Sequence, residues 1–396
     1  MGSIGKSILS INGGSSSIKF AIHKIEQSLI QLLSGEIENI GTENTKLNFN
    51  NFNTHQKSTI DIKAVSYTNA STFLVDWLEK QGFDPVRAIG HRIVHGMKHT
   101  EPERITPELI DELKNISAYD PEHLPQEIKL IELFSTRFPA IPQIACFDTS
   151  FHTSMPVIAK LLAIPRRYYS MGIQRYGFHG LSYSYLMEEL KRITSDKVAK
   201  GRIILAHLGS GASLAAVKDG KSMDTSMGFT PTSGLMMGTR AGDLDPGVAW
   251  YLMKSEKLDP KQFNDLINYQ SGMLGISEVS SDMQELIRNQ GKDNRVGEAI
   301  ELFCYQIKKW IGSFATVLGG LDTLIFSGGI GENSPEVRGR VCEGMKFLGI
   351  ELDQARNLKN ESIISSEMSN VCVRVIKTNE ELMMARLVCD ILNYSQ

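Results

Sequence analysis

The sequence predicts an α/β fold with two domains, and three observations lead to this prediction. Strand-like apolar runs alternate with helix-like periodic patterns along the chain. A strand, a loop of glycine and serine, and a second strand occur near the start, and the same order recurs in the second half. The 396 residues suffice for two or three domains. We therefore expect a duplicated domain, with chance repetition of a common turn as the alternative.

The composition excludes several classes of protein. Hydrophobic residues make up 41% of the chain and charged residues 22%, which is typical of a folded globular protein and not of a disordered, collagen-like or coiled-coil chain. Lys and Arg number 42 against 45 Asp and Glu, a net charge of -3. No overall positive field is available to bind a nucleic acid or an anionic membrane, although a local basic site remains open.

The cysteines and the N-terminus predict a reduced, cytoplasmic setting. The five cysteines are odd in number and widely spaced, with no C-x-x-C pair, which argues against a disulfide framework and a zinc knuckle. No apolar run approaches the roughly 18 residues of a membrane span, and residues 1–6 lack the apolar core of a signal peptide. Lys6 stands where a myristoylation signal needs Ser or Thr.

The first repeat begins with an apolar run at 7–12, a glycine-serine loop at 13–17 and a second strand at 18–24. Such a loop presents backbone N–H groups and hydroxyls to one point, as a phosphate requires, and Lys19 adds a positive charge. A plain glycine turn is the alternative. The Asn-rich stretch at 36–58 predicts a hairpin and a loop excursion rather than a linker.

The second repeat has a strand at 202–208, a glycine loop at 209–213 and a further strand-like run at 213–221. Neither common nucleotide signature is present. Gly220, Lys221 and Ser222 match the end of G-x-x-x-x-G-K-[ST], but Ala215 stands where its first Gly belongs. A Rossmann loop is disfavoured because the chain after Ser17 is strand-like rather than helical. Phosphate binding by hairpin loops remains.

A third glycine segment follows the apolar run at 323–326 and leads into a helix. Ser334 is a typical N-cap with Pro335 at the first helical position, and helix N-termini attract anions. Before it, apolar residues from 296 to 317 recur at intervals of three and four, which predicts a long core helix ended by Gly319.

Two arginines lie outside ordinary solvated contexts. Arg92 has apolar neighbours on both sides and Arg240 lies in a turn-rich stretch. One well-placed Arg can accelerate phosphoryl transfer by about 10³–10⁵. A structural salt bridge is the alternative for each.

Histidines and carboxylates complete the candidates. His91, His95 and His99 are spaced by four, but a strand ending in Gly, rather than a helix, disfavours a shared metal site. His179 lies among glycines and aromatics, where a structural His is the alternative. Asp148 ends a strand, a typical position for a magnesium-directed carboxylate.

At the last helix, Thr378 and Glu381 match a capping box, which gives Glu381 a structural role and leaves Glu380 for function.

With these residues in view, the chain resembles the acetate and propionate kinase family over nearly its whole length. The matching segments are NGGSSSIKF, GHRIVHG, FDTSFHTSMP, RYGFHG, AHLGSGAS, MGFTPTSGLMMGTRAGDLDPG, SGMLGIS, FSGGIGENS and TNEEL. The resemblance implies two duplicated actin-like, RNase H-like domains of the actin, sugar kinase and chaperone ATPase superfamily, with an active-site cleft between them. The first domain would span 1–150 plus 381–396, and the second, nucleotide-binding, 151–380.

The resemblance also implies reversible phosphoryl transfer from ATP to a short-chain carboxylate by a homodimer, with ADP as product. Mg²⁺ would assist, with Mn²⁺ as an alternative metal. No nucleic acid or membrane partner is implied. Because a carboxylate is already ionised, the reaction needs alignment and charge neutralisation rather than a strong base, and no general base is assigned.

Position by position, the resemblance assigns roles to individual residues. Catalytic roles would fall to Arg92, Asp148, His179, Arg240 and His123. The substrate would contact Arg92, Val94, Phe178 and Pro231. Nucleotide and phosphate would contact Asn12, Ser15, Ser17, Lys19, His207, Gly209, Ser210, Gly211, Asp282, Met283, Gln284, Gly329, Ile330, Gly331 and Asn333. The metal would be held by Asn12, Asp148 and Glu380.

Four residues depart from the family pattern. Met97 replaces a Gly, Ser210 an Asn and Gln284 an Arg near the nucleotide. Glu122 stands where a Leu lining the alkyl pocket is expected, so that either its side chain points outward or the pocket is rebuilt.

Alternative functions stay open. Val94 favours acetate over propionate, yet one methylene is worth only about 1–3 kcal/mol, so a propionate-preferring enzyme is an alternative. Butyrate kinases resemble the chain less, since their first loop usually has PGSTS. From another class, a non-catalytic actin-like nucleotide-binding module is possible, because the fold alone does not fix function.

Overall fold

The computed structural model describes residues 7–14, 16–64, 66–82 and 86–394. The strands are β1 Ser7–Gly13, β2 Ile18–Ile25, β3 Leu29–Glu38, β4 Lys46–Asn51, β5 Gln56–Asp61, β6 Val86–Ile93, β7 Glu103–Arg104, β8 Gln143–Phe147, β9 Ile203–Leu208, β10 Ala212–Lys218, β11 Lys221–Thr225, β12 Thr323–Ser327 and β13 Cys372–Val375.

The helices are α1 Tyr67–Lys80, α2 Pro107–Asn115, α3 Leu124–Arg137, α4 Val157–Lys160, α5 Arg166–Ser170, α6 Gly180–Ile193, α7 Asp196–Ala199, α8 Pro246–Ser255, α9 Pro260–Tyr269, α10 Gly272–Ser277, α11 Met283–Asn289, α12 Asn294–Leu318, α13 Gly328–Asn333, α14 Pro335–Cys342, α15 Gln354–Leu358 and α16 Glu380–Ile391.

Two compact units divide the chain. The first comprises Met1–Ser150 and Asn379–Gln396, and the second comprises Phe151–Thr378. Asn379 and Glu380 fall in the first unit, slightly earlier than the predicted boundary at 381, because α16 begins at Glu380 and packs against β1, β6 and β2. The duplication of the two domains stays a prediction.

The first unit is built on an eight-stranded mixed sheet in the order β5-β4-β3-β2-β1-β6-β8-β7. β1 is antiparallel to β2 and parallel to β6, which is in turn parallel to β8. Every residue of β1 is buried, as expected for a central strand with continuous apolar sequence. α16 approaches the sheet closely, since a methyl group at Gly90 would lie 2.9 Å from Val388.

The second unit contains a five-stranded mixed sheet in the order β11-β10-β9-β12-β13. β9 and β10 form an antiparallel hairpin, and β9 is parallel to β12. The long helix α12 packs against β10, α10 and α14, and ends at Gly319, whose φ of 72° is left-handed. The α/β fold class, both predicted hairpins and this helix are confirmed.

The hairpin predicted within 36–58 is present as β4 and β5, which extend the sheet. Two local expectations need correction. The third glycine segment is itself helical, as α13, before Ser334 caps α14 by accepting from Val337 N–H. α16 is capped by Asn379, not Thr378, because the Asn379 side chain accepts from Leu382 N–H.

Across the described residues, no helix has the length and apolarity needed to cross a bilayer.

Candidate active site

In the first unit, polar side chains meet where three neighbouring parallel strands end. Asn12 lies near the end of β1, Arg92 near the end of β6, and Asp148 directly follows β8. The carboxyl ends of parallel strands share one edge of a sheet, which is where α/β proteins commonly bind ligands. The position predicted for Asp148, at the end of a strand, is confirmed.

Arg92 is held on two sides. Its Nε and NH2 groups donate to Asp148 Oδ2 at 3.1 and 2.5 Å, and its NH1 donates to Asn12 Oδ1 at 3.1 Å. Asp148 is fully buried. The ion pair considered as an alternative for Arg92 is therefore present, and it fixes the guanidinium at the sheet edge. Burial opposes the charge on Arg92, but Asp148 and Glu380 outweigh it and raise the pKa of Arg92.

The start of α16 brings two further carboxylates to this edge. Asn12 Nδ2 donates to Glu380 Oε2 at 2.9 Å and to Glu381 Oε1 at 3.1 Å. Burial, followed by the neighbouring charge of Glu380, raises the pKa of Glu381. Desolvation opposes the charge on Lys19, but Glu36, Glu380 and Glu381 outweigh it, so the pKa of Lys19 is raised and its ammonium charge is retained.

The loop between β1 and β2 is tightly closed. Gly14 N–H donates to the Ser17 carbonyl at 2.8 Å, and a methyl group at Gly14 would lie 3.1 Å from Ser17 Oγ. Asn12 and Lys19 are directly paired in the β1–β2 register. Ser15 lies outside the described residues.

A second set of acidic side chains in this unit lies close to the backbone of Val94. His123 Nδ1 is 2.9 Å from Asp120 Oδ1, and both residues are buried. On α3, buried Glu127 accepts from Val94 N–H at 3.1 Å through Oε2. Burial, together with the nearby charge of Asp120, raises the pKa of Glu127 well above its usual value.

In the second unit, His179 is the centre of a polar cluster. It precedes α6 with a left-handed φ of 60°, a conformation in which His is enriched among non-glycine residues. Its Nδ1 is 2.8 Å from Ser213 Oγ, and Ser213 also bonds to Tyr183 Oη. The His179 ring stacks on His207 with centroids 4.3 Å apart. Phe178 beside it is buried, and its carbonyl faces His152 Nε2 at 3.2 Å.

Arg240 lies in the same cluster as His179. A methyl group built on Gly211 would lie 3.1 Å from His179 Nε2 and 3.9 Å from Arg240 NH1, so both groups border this glycine. Arg240 NH1 also contacts the Pro231 carbonyl at 3.4 Å and Met237 Sδ at 3.8 Å. The structure thus brings His179 together with Arg240 and Pro231, which were predicted from a different motif.

The two glycine segments of this unit are adjacent. They follow β9 and β12, which are parallel neighbours, and a methyl group at Gly209 would lie 3.8 Å from Gly329 N. Gly328 has a φ of 75°, and its Cβ would lie 2.7 Å from the Leu208 carbonyl, so glycine is required there. Gly329 is exposed, and Asn333 Nδ2 donates to its carbonyl at 2.9 Å. Ile330 is half-buried and Gly331 is buried.

Buried Arg338 holds α13 in place. Its NH1 donates to the Gly331 carbonyl at 2.7 Å, while Nε donates to Asn357 Oδ1 and NH2 to the Asn357 carbonyl, both at 2.9 Å. Burial lowers the pKa of Arg338 to about 10.

The residues 282–284 lie beside the Ser210 loop. Gly238 N–H donates to the Ser210 carbonyl at 3.3 Å, and a methyl group at Gly238 would lie 3.3 Å from the Ser281 carbonyl. Asp282 caps α11 by accepting from Gln284 N–H at 2.7 Å, which gives it a structural role. Met283 is buried, and Gln284 is exposed.

Two of the departures from the family pattern have structural consequences. Met97 has a φ of 49°, in the left-handed region that favours glycine, which explains why a Gly is expected there. Glu122 is half-buried in the turn before α3, so its side chain is neither fully outward nor fully enclosed.

The oxygen donors at the first sheet edge suit magnesium in part. Asp148 and Glu380 supply carboxylates and Asn12 an amide, the donors that Mg²⁺ prefers. Arg92 and Asn12 already engage several of these oxygens. In the part of the chain that the structure describes, no three His, Cys, Asp or Glu residues are grouped to hold a metal. The set fits an ion that keeps waters and also binds substrate phosphates.

Several residues of these clusters were missed in the sequence. Glu127 lies one turn after His123 on the buried face of α3, and an acid on an apolar face is a usable signal. Glu381 was predicted to cap the last helix, and its contact with Asn12 was therefore missed. Ser213 and Tyr183 gave no signal, because buried hydroxyls are common in strands and helices.

Comparisons with known proteins identify the family of the chain. The model of the acetokinase family matches residues 7–386. The chain is 42% identical over 388 residues to the acetate kinase of Rickettsia typhi, covering 97% of this chain and 99% of that protein.

Two solved structures are also similar. An acetate kinase from Porphyromonas gingivalis superposes with a TM-score of 0.85 at 36% identity, covering 98% of this chain and 100% of that one. A propionate kinase from Francisella tularensis gives 0.88 at 37% identity, covering 96% and 98%. By sequence and by fold, the chain belongs to the acetokinase family.

Proposed function

We propose that the protein transfers the γ-phosphoryl group of ATP to acetate, reversibly forming acetyl phosphate and ADP. The acetokinase family consists of phosphotransferases that use ATP or ADP and a carboxyl acceptor. The observation that carries the proposal is Arg92, a mostly buried guanidinium fixed by Asp148 and Asn12 at the carboxyl ends of parallel strands. Its permanent positive charge is suited to an anionic acceptor or a phosphoryl group.

In the proposed reaction, a carboxylate oxygen of acetate attacks the γ-phosphorus in line. The bond to the β–γ bridging oxygen breaks, and its electron pair leaves with ADP. Arg92 and Arg240 neutralise the acetate and the three phosphoryl oxygens, and His179 adds a hydrogen bond. No proton has to be removed from the acceptor, so positioning and charge neutralisation supply the catalysis.

For the nucleotide, we assign the glycine segments after β9 and β12, with His207, Ser210 and Asn333, to the phosphates and ribose. The exposed backbone of Gly329 and the lack of a side chain at Gly209 support this assignment, because phosphate oxygens need N–H donors free of side-chain bulk. Asp282, Met283 and Gln284 are assigned to the base, and the first-unit residues Ser15, Ser17 and Lys19 to the phosphates.

Magnesium is part of the proposal. Asp148, Glu380 and Asn12 would hold it together with the nucleotide phosphates, and the ion would supply further neutralisation of phosphate charge. Manganese has the same preference for oxygen donors. Titration of the protein with MgATP and with metal-free ATP, followed by calorimetry, should show tighter binding of MgATP.

Acetate rather than propionate is the proposed acid, on the basis of Val94, Phe178 and Pro231. Val94 is buried and its N–H is fixed by Glu127, so its side chain has little room to move. Val94→Ala should raise kcat/KM for propionate relative to acetate by about tenfold, within the range of one methylene. An unchanged ratio of kcat/KM for propionate to kcat/KM for acetate would show that Val94 does not line the acid pocket.

A homodimer is the proposed assembly. Exposed apolar side chains on α4 and on both sides of α5 support it, namely Val157, Ile158, Ile164 and Met171. Light scattering coupled to size-exclusion chromatography should give twice the chain mass of 44.0 kDa, and a monomer would contradict the assignment.

The proposal keeps the cytoplasmic location, which is supported by five cysteines that form no disulfide in the structure.

The activity test is direct. Purified protein is incubated with acetate, ATP and magnesium, and the acyl phosphate is trapped with hydroxylamine as a hydroxamate. Hydroxamate from acetate is expected, with less from propionate at equal concentration. A higher kcat/KM with propionate would make the protein a propionate kinase. Nucleotide binding without hydroxamate from either acid would favour a non-catalytic module.

A further inference from the structure

A chain of three hydrogen-bonding groups leads from the core of the second unit to His179. Tyr183 Oη bonds to Ser213 Oγ, and Ser213 Oγ lies 2.8 Å from His179 Nδ1. Tyr183 and Ser213 are both fully buried. Tyr183 also packs against apolar side chains such as Leu186, Leu205 and Val217, and its ring meets the His152 ring edge-on with centroids 5.6 Å apart. The hydroxyl of Ser213 therefore has a defined environment on both sides.

The order of acidity along this chain favours one position for the proton of His179. A phenol is a better hydrogen-bond donor than an aliphatic hydroxyl, which favours Tyr183 as the donor to Ser213 and Ser213 as the donor to Nδ1. A neutral imidazole that accepts at Nδ1 carries its proton at Nε2. Nε2 is the atom that borders Gly211, next to Arg240 NH1.

The neighbouring histidine repeats this arrangement. His207 Nδ1 is 2.8 Å from Ser182 Oγ, which is 2.8 Å from Thr378 Oγ1. A methyl group at Gly209 would lie 3.9 Å from His207 Nε2. The two stacked rings thus share one orientation, each with Nδ1 on a serine and Nε2 towards a glycine of the hairpin. Stacking at 4.3 Å disfavours the state in which both rings are charged, because two imidazolium ions would repel each other.

We propose that Ser213 and Tyr183 are positioning residues that hold His179 neutral with its proton on Nε2, so that it donates a hydrogen bond to the transferring phosphoryl group. This inference rests on the proposed phosphoryl transfer. Neither residue touches the substrate; both act through the imidazole. Ser213 is directly opposite His207 in the β9–β10 register. The same hairpin therefore positions both Ser213, which bonds to His179, and His207, which stacks on His179.

The test compares Ser213→Ala, Tyr183→Phe and the double variant with the wild type. Loss of the serine hydroxyl should lower kcat about tenfold and leave KM for ATP within threefold, because the nucleotide contacts are unchanged. Tyr183→Phe should lower kcat about threefold. The double variant should match Ser213→Ala, since coupled residues are non-additive.

Ser369→Ala is the matched control. Ser369 lies in the same unit, accepts from Glu351 N–H at 3.0 Å and donates to the Gly349 carbonyl at 2.9 Å, so the variant removes a hydrogen-bonded serine hydroxyl elsewhere. Its kcat should stay within twofold of wild type. A kcat for Ser213→Ala within twofold of wild type would overturn the proposal, as would an equal loss in the control.

Nitrogen-15 NMR of the histidines gives a readout independent of turnover. The wild-type signals of His179, assigned with a His179→Gln variant, should show a protonated Nε2 and an unprotonated Nδ1. Tyr183→Phe should shift this balance towards the tautomer with the proton on Nδ1. This measurement tests the inference even if Ser213→Ala does not fold. A wild-type Nδ1–H tautomer would overturn the inference. If the wild type forms no acetyl phosphate, the proposed function fails, whereas the tautomer is measured all the same.

Discussion

The two candidate clusters hold their arginines by different means. In the first unit, Arg92 is paired with the buried carboxylate of Asp148, and further carboxylates lie around Asn12. In the second, the contacts described for Arg240 are a carbonyl and a thioether, among hydroxyls, imidazoles and glycines. The first cluster therefore depends on charge balance, and the second on close approach of backbone and rings. Each should fail in its own way when it is altered.

The largest expected effect comes from Arg92→Ala. Loss of the guanidinium should lower kcat at least about a hundredfold, an order of magnitude typical for removal of a charge that stabilises the transition state. It should also lower the free energy of unfolding by about 3–5 kcal/mol, because the buried carboxylate of Asp148 would lose its ion pair with Arg92. Steady-state kinetics and urea unfolding measure the two effects.

A second substitution separates these effects. Asp148→Asn added to Arg92→Ala removes the buried negative charge as well, so stability should recover while kcat stays low. Arg137→Ala is the control: this exposed arginine pairs with Asp76 at 3.0 Å and Glu79 at 2.5 Å, and its removal should cost no more than about 1 kcal/mol with kcat unchanged. Wild-type turnover in Arg92→Ala would exclude the first cluster from catalysis.

Gly211→Ala tests the steric character of the second cluster. The new methyl group would lie 3.1 Å from His179 Nε2 and 3.4 Å from Cε1, so the imidazole must move. We expect a fall in kcat of about tenfold, in keeping with the large effects of small displacements on positioned groups, and little change in the unfolding midpoint.

The control for that variant is Gly312→Ala within α12. No atom lies within 4 Å of a methyl group there, apart from chain neighbours and the helix itself. Replacing a mid-helix glycine by alanine should raise the free energy of unfolding by about 0.5–1 kcal/mol and leave kcat unchanged. Unchanged kcat in both glycine variants would show that ring placement near Gly211 is not needed.

Local elements of the fold were predictable because their signals lie within a few residues. The β1–β2 hairpin follows from two apolar runs around a glycine loop, and the end of α12 follows from Gly319. The N-cap of α16 was misassigned because Thr378 and Asn379 are both capping residues, and only the structure shows which side chain accepts from Leu382.

The site was predictable only where a motif names the residue. The contact of Asn12 with Glu380 joins the first strand to the last helix, and no local pattern encodes it. The same is true of Glu127, whose partner Val94 lies on a strand far earlier in the chain. Such contacts depend on how the sheet is ordered, which the periodicity of separate segments does not determine.

Glu127 provides the smallest expected effect and sharpens the contrast between the clusters. Because its pKa is raised in the folded protein, its contribution to stability is fully present below the unfolded value near 4.5 and is lost as pH rises through the folded value. Glu127→Gln removes the ionisable group but retains a carbonyl that can accept from Val94 N–H. Near pH 8, we expect this variant to unfold with a free energy about 1 kcal/mol higher than wild type, and near pH 4 the difference should vanish.

The free energy of unfolding should then depend on pH through Glu127, which lies near the first cluster but has no catalytic role in the proposal. The hydroxyls of the second cluster do not titrate in this range. Urea unfolding from pH 4 to 8 measures the difference, with Glu132→Gln on the same helix as control, since Glu132 is half-exposed and pairs with Lys114 at 2.7 Å. Parallel stability curves for wild type and Glu127→Gln would show that folding does not shift the pKa of Glu127. Glu127 would then be ionised at neutral pH, and its charge would count in the charge balance around Arg92 together with that of Asp148.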